Sequence, residues 1–137
     1  MAQPKPPVVA ELVWTQELRF GVTSGQHAVI IDGNGAGGPS PVQLLAISIA
    51  GCMAADVVDI VRKGHHPLAG LRAIVKAERS AEPPRRLTSV ALNFHVHGAV
   101  PDAAVARAIA LSRDKYCSVW HSLRQDIHLT TSFEIVP

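Results

Sequence analysis

Two cysteines, Cys52 and Cys117, are the residues with the most chemistry to offer. A thiol acts as a nucleophile or redox centre only as the thiolate, and ionisation calls for a nearby cation or a helix N-terminus. The pair lies 65 residues apart, which excludes a local C-x-x-C motif, so only the fold can bring the sulfurs together. Cys52 follows Ala50-Gly51 and precedes Met53-Ala54-Ala55, small neighbours that let another element approach the sulfur. A free cysteine in such a setting is equally at home as a small buried hydrophobe. Cys117 sits in the more polar run Asp114-Lys115-Tyr116-Cys117-Ser118. The other ligand-type residues are His65-His66 and His95 with His97. A zinc site needs convergent ligands, and neither pair is near a cysteine in sequence, so solvated histidines and no bound metal are expected.

The element that must position Cys52 is the uncharged stretch from Pro39 to Ala55. It opens like a helix. Ser40 suits the N-cap, Pro41 the first helical position, and Gln43 the third residue of a capping box. The pattern continues through Val57, Val58, Ile60 and Val61 to Lys63, with Gly64 as the stop. Such a helix is roughly 35 Å long. Its first half is apolar almost all round, so burial of that half is expected. Mid-helix, Cys52 gains little from the dipole, and activation would need a guanidinium from elsewhere.

The remaining elements follow from periodicity. Val8 to Phe20 suits a strand, Gly21 to Gly25 a turn, and His27 to Asp32 a second strand. The run Gly33-Asn34-Gly35-Ala36-Gly37-Gly38 lacks both the spaced GxGxxG pattern and a P-loop lysine, and reads as a flexible linker. Leu71 to Glu78 and Leu87 to His97 alternate in polarity and form a second hairpin around Glu82-Pro83-Pro84-Arg85. Asp102 suits the N-cap of a helix reaching about Lys115. A short helical segment from Ser118 to Arg124 leaves Cys117 at the junction, and Ile127 to Ile135 closes the chain as a strand. The order β-β-α-β-β-α-α-β, with strands in hairpins, predicts an α+β fold of antiparallel sheets packed on a long buried central helix.

At 137 residues, 47% apolar and 18% charged, the chain is expected to form a single domain over residues 1–137, with a loose proline-bearing tail over 1–8. Net charge is +2, basic residues are scattered and aromatics make up 4%, which argues against nucleic-acid binding. Two prolines in the uncharged run and Asp56 and Asp59 just after it argue against a membrane span. Residues 1–7 carry no apolar signal core, so a cytoplasmic location is expected, where two cysteines are redox-active or simply buried. A helix so apolar in so small a protein calls for a second covering surface, and a homodimer supplies one.

Two motifs resemble a known family. Ser40-Pro41-Val42-Gln43-Leu44-Leu45-Ala46 followed by Ala50-Gly51-Cys52 is similar to the central-helix motif of the OsmC/Ohr family, and Lys115-Tyr116-Cys117-Ser118-Val119 is similar to its second-cysteine motif. With the flanking strands, the resemblance covers residues 11–136. It implies the OsmC-like fold, an intertwined homodimer with the central helices buried and sites at the subunit interface, and a role in the oxidative or osmotic stress response. It also implies a thiol-dependent peroxidase for organic hydroperoxides that uses no cofactor and no metal. In that reading Cys52 attacks the peroxide and becomes a sulfenic acid, Cys117 resolves it as an intramolecular disulfide, and a dithiol reductant of the lipoyl type restores both thiols.

The chain departs from the family's peroxidase branches at two points. They carry a glutamate where Val42 stands, and a loop arginine paired with it, which has no match before residue 39. Arg19 is the only arginine in that region and falls in a predicted strand, where an exposed structural role serves equally well. Arg113 and Arg124, flanking Cys117, are the other candidate cations. Gln43 is a candidate polar group at the site, though capping accounts for it as well. The pattern resembles the less-characterised OsmC-like branch. The alternative is a non-catalytic dimer of the same fold that binds an apolar small molecule at the subunit interface.

Overall fold

The computed structural model describes residues 2–136, which divide into two compact units meeting at Leu44–Leu45. The first unit holds an antiparallel meander of β1 (Glu11–Gln16), β2 (Arg19–Ser24) and β3 (His27–Asp32). Three strands therefore precede the long helix, where the sequence suggested two. The reversal falls at Glu17-Leu18, which carries no glycine or asparagine. Glu17 takes the left-handed conformation itself, at φ 48°. The Trp14 indole donates to the Glu17 carbonyl at 2.7 Å and the Thr15 hydroxyl to the Arg19 carbonyl at 3.2 Å, so side chains hold a turn that composition does not announce. The residues read as a turn, Gly21 to Ser24, continue β2, and the chain turns after Gly25 instead.

The glycine-rich segment is an ordered loop rather than a loose linker. Asp32 is buried, and its carboxylate accepts the N–H groups of Asn34 and Gly37, each at 2.8 Å. The Asp32 N–H donates to the Pro39 carbonyl at 3.1 Å. The Gly37 and Asn34 bonds, with the Arg19 guanidinium, hold the carboxyl below its ordinary range.

Helix α1 runs from Pro41 to Lys63, as the sequence implied. The capping box is complete: the Gln43 N–H donates to Ser40 Oγ at 3.1 Å and the Ser40 N–H to Gln43 Oε1 at 2.8 Å. Its end is a Schellman turn in which His65, at φ 60°, is the left-handed residue and Gly64 is still the cap. The His65 N–H reaches the Arg62 carbonyl and the His66 N–H that of Val61. In length and composition α1 could also pass for a membrane span, but Ile49, Met53, Val57 and Val61 form a fully buried stripe, which marks a core helix. Full burial of the first half is not met within one chain, since Gln43, Ile47 and Ser48 are exposed. Within one chain the buried residues occupy one side of the helix, and these three fall outside it.

In the second unit β4 (Leu68–Arg79), β5 (Leu87–Gly98) and β6 (His128–Val136) form a sheet with β5 central. The β4–β5 hairpin is antiparallel, whereas β6 runs parallel to β5, so this sheet is mixed. The parallel pairing arises because α2 (Asp102–Leu111) and α3 (Ser118–His121) make a crossover between the two strands. Val90, Leu92, Phe94 and Val96 alternate inward along β5 and are fully buried, and Val105, Ala108 and Ile109 of α2 are buried with them. Asp102 is the first residue of α2 rather than its cap. Pro101 takes the cap position, with no side-chain hydrogen bond, and Asp102 instead sets its charge against the positive end of the helix.

Candidate active site

Cys52 is half-buried in the middle of α1, and Cys117 is fully buried at the head of α3; both are free thiols. The fold brings them together within the second unit, where Cys52 is close enough to act on the Cys117 thiol. The segment that delivers Cys117 is a π-turn, Ser112–Tyr116, which continues α2. Its wider winding is closed by the Cys117 N–H donating to the Ser112 carbonyl at 2.8 Å. Past that point Cys117 is extended and caps α3, its sulfur accepting the Trp120 N–H at 3.4 Å.

Burial is the main influence on the Cys117 thiol, pushing its pKa up to about 11 from an ordinary 9.0. The Trp120 N–H works against this. Donation to Cys52 and the negative charges of Cys52 and Asp56 reinforce it. Cys117 is thus held as the protonated thiol.

The candidate cations fall elsewhere. Arg113 donates to the Leu129 carbonyl at 2.8 Å, and Arg124 is clamped in a two-point bond by Asp126 at 2.6 and 2.7 Å. Neither is among the groups acting on the Cys117 thiol. In the first unit, Arg19 pairs with Asp32 at 3.4 Å, and Gln43 is held by the capping box. Of the sequence candidates, then, the two cysteines meet, while the arginines and Gln43 have partners of their own.

Sequence reasoning did not single out Ser112. It is fully buried, and its hydroxyl donates to Asp56 Oδ2 at 2.8 Å, from the π-turn to the helix that carries Cys52. The signal was Asp56 itself, a carboxylate one helical turn after Cys52 and the first charged residue of the helix. A half-buried carboxylate there requires a donor.

Known proteins give a consistent picture. A profile of the family described as OsmC-like protein matches residues 33–132. Protein YhfA of Escherichia coli strain K12 is 39% identical over 130 residues, covering 93% of this chain and 97% of its own length. Among solved structures, a hypothetical protein from Aquifex aeolicus VF5 superposes with a TM-score of 0.89 at 24% identity, over 96% of this chain and 98% of its own. An organic hydroperoxide resistance protein OsmC from Legionella pneumophila superposes with a TM-score of 0.73 at 16% identity, over 96% and 99% of the two chains. The chain belongs to the OsmC-like protein family.

Proposed function

We propose that this protein is a thiol-dependent peroxidase for organic hydroperoxides, acting in the response to oxidative stress. The observation that carries the reading is that two free thiols 65 residues apart in sequence are brought close enough to act on each other. The Cys52 thiolate attacks one peroxide oxygen, the O–O bond breaks, and the alkoxide leaves to take up a proton as the alcohol. Cys52 is left as a sulfenic acid. Cys117 then attacks the Cys52 sulfur. The S–S bond forms, the S–O bond breaks, and the hydroxyl departs with the Cys117 proton as water. A dithiol of the lipoyl type reduces the disulfide by exchange and leaves as its own disulfide.

Family membership supports this reading, as does the name of the Legionella relative as an organic hydroperoxide resistance protein. The working form is a homodimer in a reducing cytoplasm. An argument for the second copy is the outer side of α1, where Ile47 is 52% exposed and Ser48, Gly51 and Ala55 are uncovered.

The test is stopped-flow oxidation of the dithiol-reduced protein by tert-butyl hydroperoxide and by hydrogen peroxide, followed by mapping of the disulfide. Consumption of the organic peroxide that is abolished in Cys52→Ser, with a Cys52–Cys117 disulfide in the wild type, is the expected outcome. Equal turnover by Cys52→Ser would sink the proposal.

A further inference from the structure

Cys52 and Asp56 lie one turn apart on the same side of α1. Ser112, on the π-turn, makes two bonds that connect this turn to Cys117. Its hydroxyl donates to Asp56 at 2.8 Å, and its carbonyl accepts the Cys117 N–H at 2.8 Å. The path from the helix that carries one thiol to the backbone of the other is therefore two hydrogen bonds long. A serine hydroxyl in a helical segment ordinarily bonds back to a carbonyl of its own preceding turn. Ser112 instead crosses to another element, at the place where the helix widens to release Cys117. The bond is charge-assisted and its donor is fully buried, which makes it stronger and more directional than a surface contact.

We infer that Asp56 is a positioning residue for disulfide closure: through Ser112 its carboxylate holds the Cys117 segment against α1 so that the two sulfurs meet. This rests on the reading that Cys117 resolves an oxidised Cys52. Closure requires the Cys117 sulfur to approach in line with the breaking S–O bond, and a small displacement of the π-turn would spoil that alignment. Asp56 does not touch the reacting atoms. Its charge has a second effect, adding to the influences that keep Cys117 a thiol while Cys52 is reduced.

The experiment uses the full-length reduced protein and four variants, Ser112→Ala, Asp56→Ala, Asp56→Asn and the combination of the two alanine changes, with circular dichroism to establish folding. Closure of the Cys52–Cys117 disulfide is timed after one equivalent of tert-butyl hydroperoxide and, separately, after diamide, which oxidises dithiols without peroxide chemistry. The dithiol–disulfide equilibrium is also measured in glutathione buffers. Both alanine variants are expected to slow closure about tenfold or more and to shift the equilibrium toward the dithiol. Asp56→Asn keeps an oxygen acceptor for the Ser112 hydroxyl and is expected to restore most of the rate, a rescue that a loss of general stability would not give. Combining Ser112→Ala with Asp56→Ala should add little to either alone, since both remove one bond. Wild-type closure in folded Asp56→Ala, or closure as slow in Asp56→Asn as in Asp56→Ala, would overturn the assignment. Asp56 is only half-buried, so its two variants decide the question if Ser112→Ala does not fold. Failure of peroxide to oxidise Cys52, with the same variant pattern under diamide, would remove the peroxidase reading and leave the positioning role standing.

Discussion

The Arg19 guanidinium lies 3.4 Å from Asp32 Oδ2, and the backbone of Gly37 passes directly against it. The one arginine that precedes the long helix therefore serves the glycine-rich loop of its own unit. Asp32 gathers that loop by accepting two of its N–H groups, while Arg19 covers the carboxylate from the strand side. The arrangement explains why a six-residue segment with four glycines is ordered: its backbone donors converge on one buried anion.

Strong acid should loosen this loop. The N–H bonds from Gly37 and Asn34, and then Arg19, lower the Asp32 pKa from its ordinary 3.8 in the folded state. The native state thus prefers the ionised form, and the resulting stability is present in full above pH 3.8 and lost as the pH falls toward the depressed native value. Amide chemical shifts of Asn34 and Gly37 followed by NMR should titrate together with a midpoint below 3.8. A midpoint at or above the ordinary carboxylate value would contradict the account.

The two glycines at the end of the loop should differ in what they tolerate. A Cβ at Gly38 would come within 2.6 Å of the Ile30 carbonyl, which is backbone and cannot yield. A Cβ at Gly37 would overlap the Arg19 guanidinium, the far end of a flexible side chain that can swing aside by giving up Asp32. Gly38→Ala should therefore cost about 1–3 kcal/mol, as overpacking does. Gly37→Ala should cost no more than about 1 kcal/mol, the scale of a part-exposed ion pair. Urea denaturation of the two variants side by side tests the order, and the reverse order would be inconsistent with the geometry.

Loss of the helix cap should be felt as stability. Ser40→Ala removes the acceptor for the Gln43 N–H and breaks the reciprocal bond pattern, at a cost of about 1 kcal/mol. Ser40→Asp keeps an acceptor and adds a charge at the positive end of the helix, so it should match or exceed the wild type. Thermal melts of both variants distinguish a working cap from an incidental contact, for which neither change would move the midpoint.

Features written in local periodicity were legible in the sequence. The bounds of α1, its capping box and the inward face of β5 all rest on neighbours within a few residues. The Glu17-Leu18 reversal was not legible, because side-chain bonds from Trp14 and Thr15 hold a turn that has no turn residues. Nor was the parallel pairing of β6, which depends on a crossover and leaves no mark on the strand's own alternation. At the site, the cysteines stood out by type, and the resemblance paired them. The cations nominated for them did not follow, since proximity in sequence to Cys117 says nothing about where a long side chain finds its acceptor. Arg124 turns to Asp126 two residues on, and Arg113 to a carbonyl of β6. Ser112 was invisible because its partner lies 56 residues away.

The two thiols should respond to alkylating reagents very differently. Cys117 has a native pKa of about 11 against 9.0 in the ordinary state, because burial and the negative groups on α1 disfavour its thiolate. Iodoacetamide needs access and reacts with thiolates, so at pH 8 the half-buried Cys52 should be modified, while the fully buried Cys117, with its raised pKa, is left intact by mass spectrometry. Replacing Cys52 by serine removes both the thiol acceptor and its charge, two of the causes that raise the Cys117 value, so Cys117 should then titrate at a lower pH. The same preference has a stability consequence. The folded state holds the Cys117 proton more tightly than the unfolded state does, so this contribution is fully present below pH 9.0 and is lost as the pH rises through about 11. Cys117→Ala takes the titrating group away, and its stability should fall less steeply over that interval than that of the wild type. Equal alkylation of both cysteines at pH 8, or identical alkaline profiles for wild type and Cys117→Ala, would show that the buried thiol does not keep its proton in the way the structure requires.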